Sequence, residues 1–173
     1  WSFDEAGGAI AGDASGNGND GTIHGATFVT SPKGHALGFD GVDDFVACAA
    51  SKSLQQVERA GTIELWFKPE ELQGGLVNWS TGSGWEDERL VVAFKARKGT
   101  VEFLHAASDG TGLGKHARQY DLDMPVKNSW NHLALTFDGG TITYHLDGRM
   151  RRVYSRKFAR SNLEGVPLWI GRC

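Results

Sequence analysis

Residues 130–148, WNHLALTFDGGTITYHLDG, restrict the possible folds more than any other part of the chain. Leu133, Leu135 and Phe137 alternate with His132, Ala134 and Thr136, and Ile142, Tyr144 and Leu146 alternate with Thr141, Thr143 and His145. A period of two puts the apolar set on one face of a strand and the polar set on the other, so the segment predicts a half-buried antiparallel hairpin. Register depends on the loop. A two-residue Asp138-Gly139 turn sets His132 opposite His145, whereas a four-residue loop through Thr141 pairs Phe137 with Ile142 and leaves the histidines diagonal. The longer loop matches apolar partners better. Two histidines on one face are half a metal site, but no third ligand is evident, and packing or hydrogen bonding is the simpler role.

The rest of the chain follows the same pattern. ALGFDG, DDFVACA, TIELWFKP, GLVNWST, RLVVAFKA, TVEFLHA and VPLWIGR are short runs rich in β-branched and aromatic residues, bounded by Gly, Asp, Asn and Pro. Only SLQQVERA, at residues 53–60, offers a helical turn. The fold class is therefore all-β, a sandwich or barrel. The 173 residues suit one domain with a substantial core. No apolar run reaches the roughly 18 residues of a membrane helix, and no charged-then-apolar leader is present, so membrane insertion is not expected. The opening on Trp1 rather than Met leads us to expect a domain excised from a longer, multidomain polypeptide.

Charge is unevenly distributed. Residues 1–50 hold seven acids and one base, Lys33, while residues 148–173 hold seven bases and one acid, Glu164. The first 50 residues can attract a cation and the last part an anion, although two solvated faces that neutralise each other would look the same. Residues 13–28, DASGNGNDGTIHGATF, place oxygen side chains at Asp13, Ser15 and Asn17, as the start of an EF-hand loop does. That motif is excluded, because its twelfth position is His24 where a bidentate Glu is required. Two readings remain: a set of Asx and Asn-Gly turns, or one calcium held by Asp13, Asn19 and backbone carbonyls, with Asp40 from a second segment. Cys48 and Cys173 are too few for a disulfide framework and lack metal or redox spacing; one bridge or two thiols are both open.

Taken in order, WSFDEAGG, DASGNGNDGTIHGATF, GHALGFDGVDDFV, TIELWFKP, WNHLALTFDGG, YHLDG and LWIGR resemble the laminin G-like domains of the concanavalin A-like lectin and glucanase superfamily, over nearly the whole chain. The resemblance implies a β-jelly roll of two packed antiparallel sheets, one module of a secreted or cell-surface protein, often with a structural calcium and often binding glycans. Such domains generally continue after LWIGR into a closing strand of the form G-x-I-D-E-V-x-I, which this chain, stopping at Cys173, does not contain. A jelly roll lacking its final strand would expose a sheet edge and could lose a calcium ligand.

The same fold carries lectins, hydrolases, lyases and adhesive spacers, so function must be argued from residues. A retaining glucanase needs two carboxyls on one strand face at about 5 Å, as in E-x-D-x-E, and no such strand exists. In WEDERL, Glu86 and Glu88 would share a face about 6.5 to 7 Å apart, but at a loop edge beside Arg89, where exposed charge is ordinary. Nucleophile-elbow, zincin and Walker motifs are missing, and GTGLG at residues 110–114 lacks a strand-to-helix setting. Catalysis is not expected. Binding is: NWSTGSGWEDER offers Trp85 as a platform for a sugar face, with Glu86, Glu88 and Arg89 to meet hydroxyls, while Trp79 lies in an apolar run and reads as core. For an anionic glycan or acidic protein, Arg149, Arg151, Arg152 and Arg156 of GRMRRVYSRKFAR are the alternative. Nucleic acid is not an expected partner, since the chain is net acidic and its aromatics form no stacking groove. A structural spacer or protein-interaction domain with no glycan ligand is the competing class.

Overall fold

The computed structural model describes residues 1–58, 60–82, 88–95, 100–105, 118–121, 124–155 and 162–172. In chain order the strands are β1 (Ile10–Ala11), β2 (Gly21–His24), β3 (Thr27–Ser31), β4 (Gly34–Gly38), β5 (Phe45–Cys48), β6 (Gly61–Phe67) and β7 (Gly75–Ser80). They continue as β8 (Glu88–Lys95), β9 (Thr100–His105), β10 (Arg118–Asp121), β11 (Asn131–Phe137), β12 (Thr141–Leu146), β13 (Arg149–Ser155) and β14 (Leu168–Ile170). One 3₁₀ turn, Leu54–Glu58, falls where SLQQV predicts it. No helix among the described residues is long and apolar enough to cross a membrane.

Two antiparallel layers result, as expected. One sheet has the order β1-β2-β5-β14-β7-β8-β9-β10, and the other β13-β12-β11-β6; among the described residues β3 and β4 pair only with each other. In the hairpin, Phe137 lies opposite Ile142 and Ala134 opposite His145, which is the four-residue loop. Asp138 sets that loop: its Oδ1 accepts the Gly140 and Thr141 N–H groups at 2.9 and 2.6 Å, and Gly139 takes φ 82°. The next loop is tighter. Asp147 and Gly148 both have positive φ, 53° and 72°, which is the twist a two-residue hairpin turn needs.

The core lies between the two layers. Val46, Cys48, Trp79, Leu90, Val92, Val101 and Leu168 come from the long sheet, and Ile63, Phe67, Leu133, Leu135, Phe137, Ile142, Tyr144 and Leu146 from the short one. Trp79 is core, 5% exposed, as its apolar run implies. Burial pushes the Cys48 thiol up to about 11, and Cys48 is a free thiol; Cys173 lies outside the described residues. Buried Glu58 closes the 3₁₀ turn against the segment leading to β14, its Oε1 accepting the Leu163 N–H at 3.0 Å. The consequence for function is the position of β14. It sits inside the long sheet, with Leu168 opposite both Cys48 and Trp79, and so carries the WIGR segment to the middle of that layer.

Candidate functional site

Strand alternation decides which residues the long sheet turns away from the core. Leu168 faces the core, so Trp169 faces outward; its cross-strand partners are Ala47 on β5 and Asn78 on β7, and Asn78 in turn lies opposite Val91 on β8. Trp169, Phe45, Val91 and Ala93 accordingly stand apart from the core cluster. Val91 and Ala93 are nonetheless only 3% exposed. This outward face is thus a partly enclosed apolar surface rather than an open one.

Trp169 is its centre. The indole Nε1 donates to the Ser80 carbonyl at 2.9 Å, which fixes the ring along β7. Phe45 meets it edge-on with centroids 5.4 Å apart, and His24 stacks on Phe45 at 4.5 Å. The Arg172 guanidinium carbon lies 4.3 Å from the Trp169 centroid and 5.1 Å from that of Phe45. Arg172 reaches back because Gly171 turns the chain: Gly171 has φ 83°, donates its N–H to Leu76 O at 3.1 Å, and leaves no room for a Cβ, which would stand 2.5 Å from the Phe39 ring. Beside the ring, Asn78 is 3% exposed and its Oδ1 has no hydrogen-bond partner. A buried carbonyl oxygen without a donor carries a desolvation cost, and this one lies below the accessible surface.

The sequence-predicted sugar site is only partly described. Trp85 and Glu86 lie outside the described residues, as does the side chain of Glu88, which opens β8 opposite Ser80. Arg89 is half-buried and falls at the register shift between the Trp79–Leu90 and Ser80–Glu88 pairs. The loop between β7 and β8 therefore springs from the corner where Ser80 holds Trp169. Arg149, Arg151 and Arg152 are exposed on β13, an edge strand of the short sheet, and Arg156 lies outside the described residues. His132 is engaged elsewhere: its Nε2 is 2.7 Å from Glu64 Oε1, and its ring stacks on Trp66 at 4.6 Å. The Trp169, Phe45, Arg172 and Asn78 cluster was not picked out from sequence. The available signal was a Trp between two aliphatic residues in a period-two strand, which must face away from them.

The acidic residues fall into two groups. Asp13 Oδ1 accepts the Ser15 N–H at 2.8 Å and its Oδ2 the Asn19 N–H at 2.9 Å, while Asn19 Oδ1 accepts the Ser51 and Ser53 hydroxyls at 2.5 and 3.0 Å. These bonds are those of Asx turns and a tie to the segment before the 3₁₀ turn. Asp40 belongs to the other group: its carboxylate oxygens and those of Asp43 and Asp44 lie within 4.8 Å of one another, an arrangement that could hold a metal. Asp40 Oδ1 accepts the Val42 N–H at 2.8 Å, and Asp44 Oδ2 accepts the Asp40 N–H at 2.8 Å. All-oxygen donors of this kind suit a hard cation.

Comparison with known proteins agrees with the architecture. No curated protein sequence matches the chain. Among solved structures, domain 4 of AbnA, a GH43 extracellular arabinanase from Geobacillus stearothermophilus in complex with arabinotriose, is 16% identical with a TM-score of 0.64, over 92% of this chain and 77% of that one. The botulinum neurotoxin serotype D binding domain is 11% identical with a TM-score of 0.66, over 92% of this chain but only 40% of its own. The CBM40 of the Ruminococcus gnavus IT-sialidase, bound to α2,3 sialyllactose, is 16% identical with a TM-score of 0.51, over 73% of this chain and 76% of that one. At these identities the likeness is one of fold. Residues 40–173 match the family described as the concanavalin A-like lectin/glucanases superfamily, and with that span matched the chain belongs to it.

Proposed function

We propose that the domain is a non-catalytic carbohydrate-binding module of a secreted or surface multidomain protein, and that it holds glycan on the outward face of the long sheet. The observation that carries this reading is Trp169, an aromatic ring outside the core with the Arg172 guanidinium carbon 4.3 Å from its centroid. Aromatic faces bind the C–H surfaces of sugars, and polar side chains beside them meet hydroxyls. Trp85, Glu86, Glu88 and Arg89, the residues that the sequence points to, are proposed to contribute to the same binding function. The neighbours that bind arabinotriose and sialyllactose support the class of ligand. A second reading, an anionic partner on Arg149, Arg151, Arg152 and Arg156, is favoured by the exposure of the first three on an edge strand.

A glycan array at physiological salt tests the proposal, with Trp169→Ala alongside the unaltered domain. Selective binding lost in that variant is the expected outcome. Silence across the array would make the domain a spacer or protein-interaction module. Release of reducing sugar or of an unsaturated product, abolished by Glu86→Gln or Glu88→Gln, would make it a hydrolase or lyase. We also propose a structural calcium at Asp40 with Asp43 and Asp44, whose oxygens fit it. Asp13 and Asn19, the sequence-derived ligands, already spend their side-chain oxygens on turn bonds.

A further inference from the structure

We infer that the Trp169 face is built for a carboxylate-bearing sugar, such as a uronic or sialic acid residue, with Arg172 holding the carboxylate. The inference rests on the glycan-binding reading above and narrows it to a ligand class. Its basis is a guanidinium held over two rings with its hydrogen-bonding needs unmet. Arg172 lies over Trp169 and Phe45, and among the described residues it contacts rings only, with no carboxylate or carbonyl partner. A guanidinium has five donors in a planar fork and stays charged at any working pH, so a partly buried one without an acceptor awaits one from outside.

The geometry favours a carboxylate over a neutral sugar. The Arg172 guanidinium lies over the Trp169 ring, and a guanidinium can make two N–H bonds in the plane of a carboxylate. Gly171 fixes that presentation, since its positive φ and the Phe39 ring behind it permit no other residue without rearrangement. Arg149 and Arg152, exposed on β13, lack such a setting and would bind anions with little discrimination.

Titration calorimetry with four probes tests the inference: lactose, sialyllactose, glucuronic-acid-capped lactose and sulfated lactose. The intact domain is expected to bind at least one carboxylated probe about tenfold to a hundredfold more tightly than lactose, the range of a charge-assisted hydrogen bond. Arg172→Ala should bring that probe down to the level of lactose, and Arg172→Lys, which keeps charge but loses the fork, should recover only part of the difference. Arg149→Ala with Arg152→Ala should leave it unchanged. Which carboxylated probe binds separates a uronic from a sialic ligand. Equal affinity for lactose, tighter binding of the sulfated probe, or a preference removed by the Arg149 and Arg152 changes but not by those at Arg172, would overturn the inference while leaving glycan binding intact. No binding of any probe, together with a silent array, would remove both.

Discussion

Asp13 shows what a single exposed carboxylate can do without an ion. The Ser15 hydroxyl, then the N–H groups of Asn19 and Ser15, hold its carboxyl down at about 2. A folded-state value below the ordinary 3.8 means that the stabilisation is complete above that value and disappears as the pH falls through the folded one. Thermal midpoints followed from about pH 6 to pH 2 should therefore fall less steeply for Asp13→Ala than for the unaltered domain, from a lower starting point. Parallel curves would assign Asp13 no role in the turn. The Asx pattern of DASGNGND was readable because its bonds join residues at most seven apart, Asp13 to Ser15, to Asn19 and to Asp20. The bonds from Ser51 and Ser53 to Asn19 cross 32 and 34 positions, and no local pattern announces them.

Among the elements, the β11–β12 hairpin was readable down to its register because alternation and a local turn both act within it. The place of β14 was not. VPLWIGR reads as a strand, yet its insertion between β5 and β7 depends on long-range pairing, and Trp169 becomes a surface feature only once both neighbours are known. The turn after β14 then does more than end a strand. Gly171→Ala would need a left-handed conformation at φ 83° and would drive a methyl into the Phe39 ring, at a cost of about 2–4 kcal/mol. The expected outcome is a lower denaturant midpoint, together with altered Trp169 fluorescence as Arg172 moves off the ring. An unchanged midpoint and spectrum would mean that neither the backbone conformation nor the ring contact constrains this turn.

At the scale of the whole molecule, the chain crosses from the isolated β3–β4 pair to the long sheet through residues 39–44, where Asp40, Asp43 and Asp44 converge. The N–H groups of Val42, Asp43 and Asp40 bond to carboxylate oxygens within this crossing. The Val42 N–H chiefly, against some desolvation, lowers the Asp40 carboxyl below its usual range, which keeps Asp40 available to a cation. Sequence pointed to Asp40 but joined it to Asp13 and Asn19, because an oxygen-rich loop that closes on its own backbone looks like one that closes on an ion. An ion at Asp40, Asp43 and Asp44 would pin the β3–β4 pair to the sandwich, and its binding to the folded state alone would add about 2.7 kcal/mol at a hundredfold excess over its dissociation constant. For a domain of this size that is about 5–10 °C in thermal midpoint between millimolar calcium and chelator. Asp43→Asn should abolish the difference, and Asp13→Ala should retain it. If the midpoints coincide in the unaltered domain, residues 39–44 form a turn stabilised by hydrogen bonds alone; if Asp13→Ala rather than Asp43→Asn abolishes the shift, the ion belongs to the opening loop.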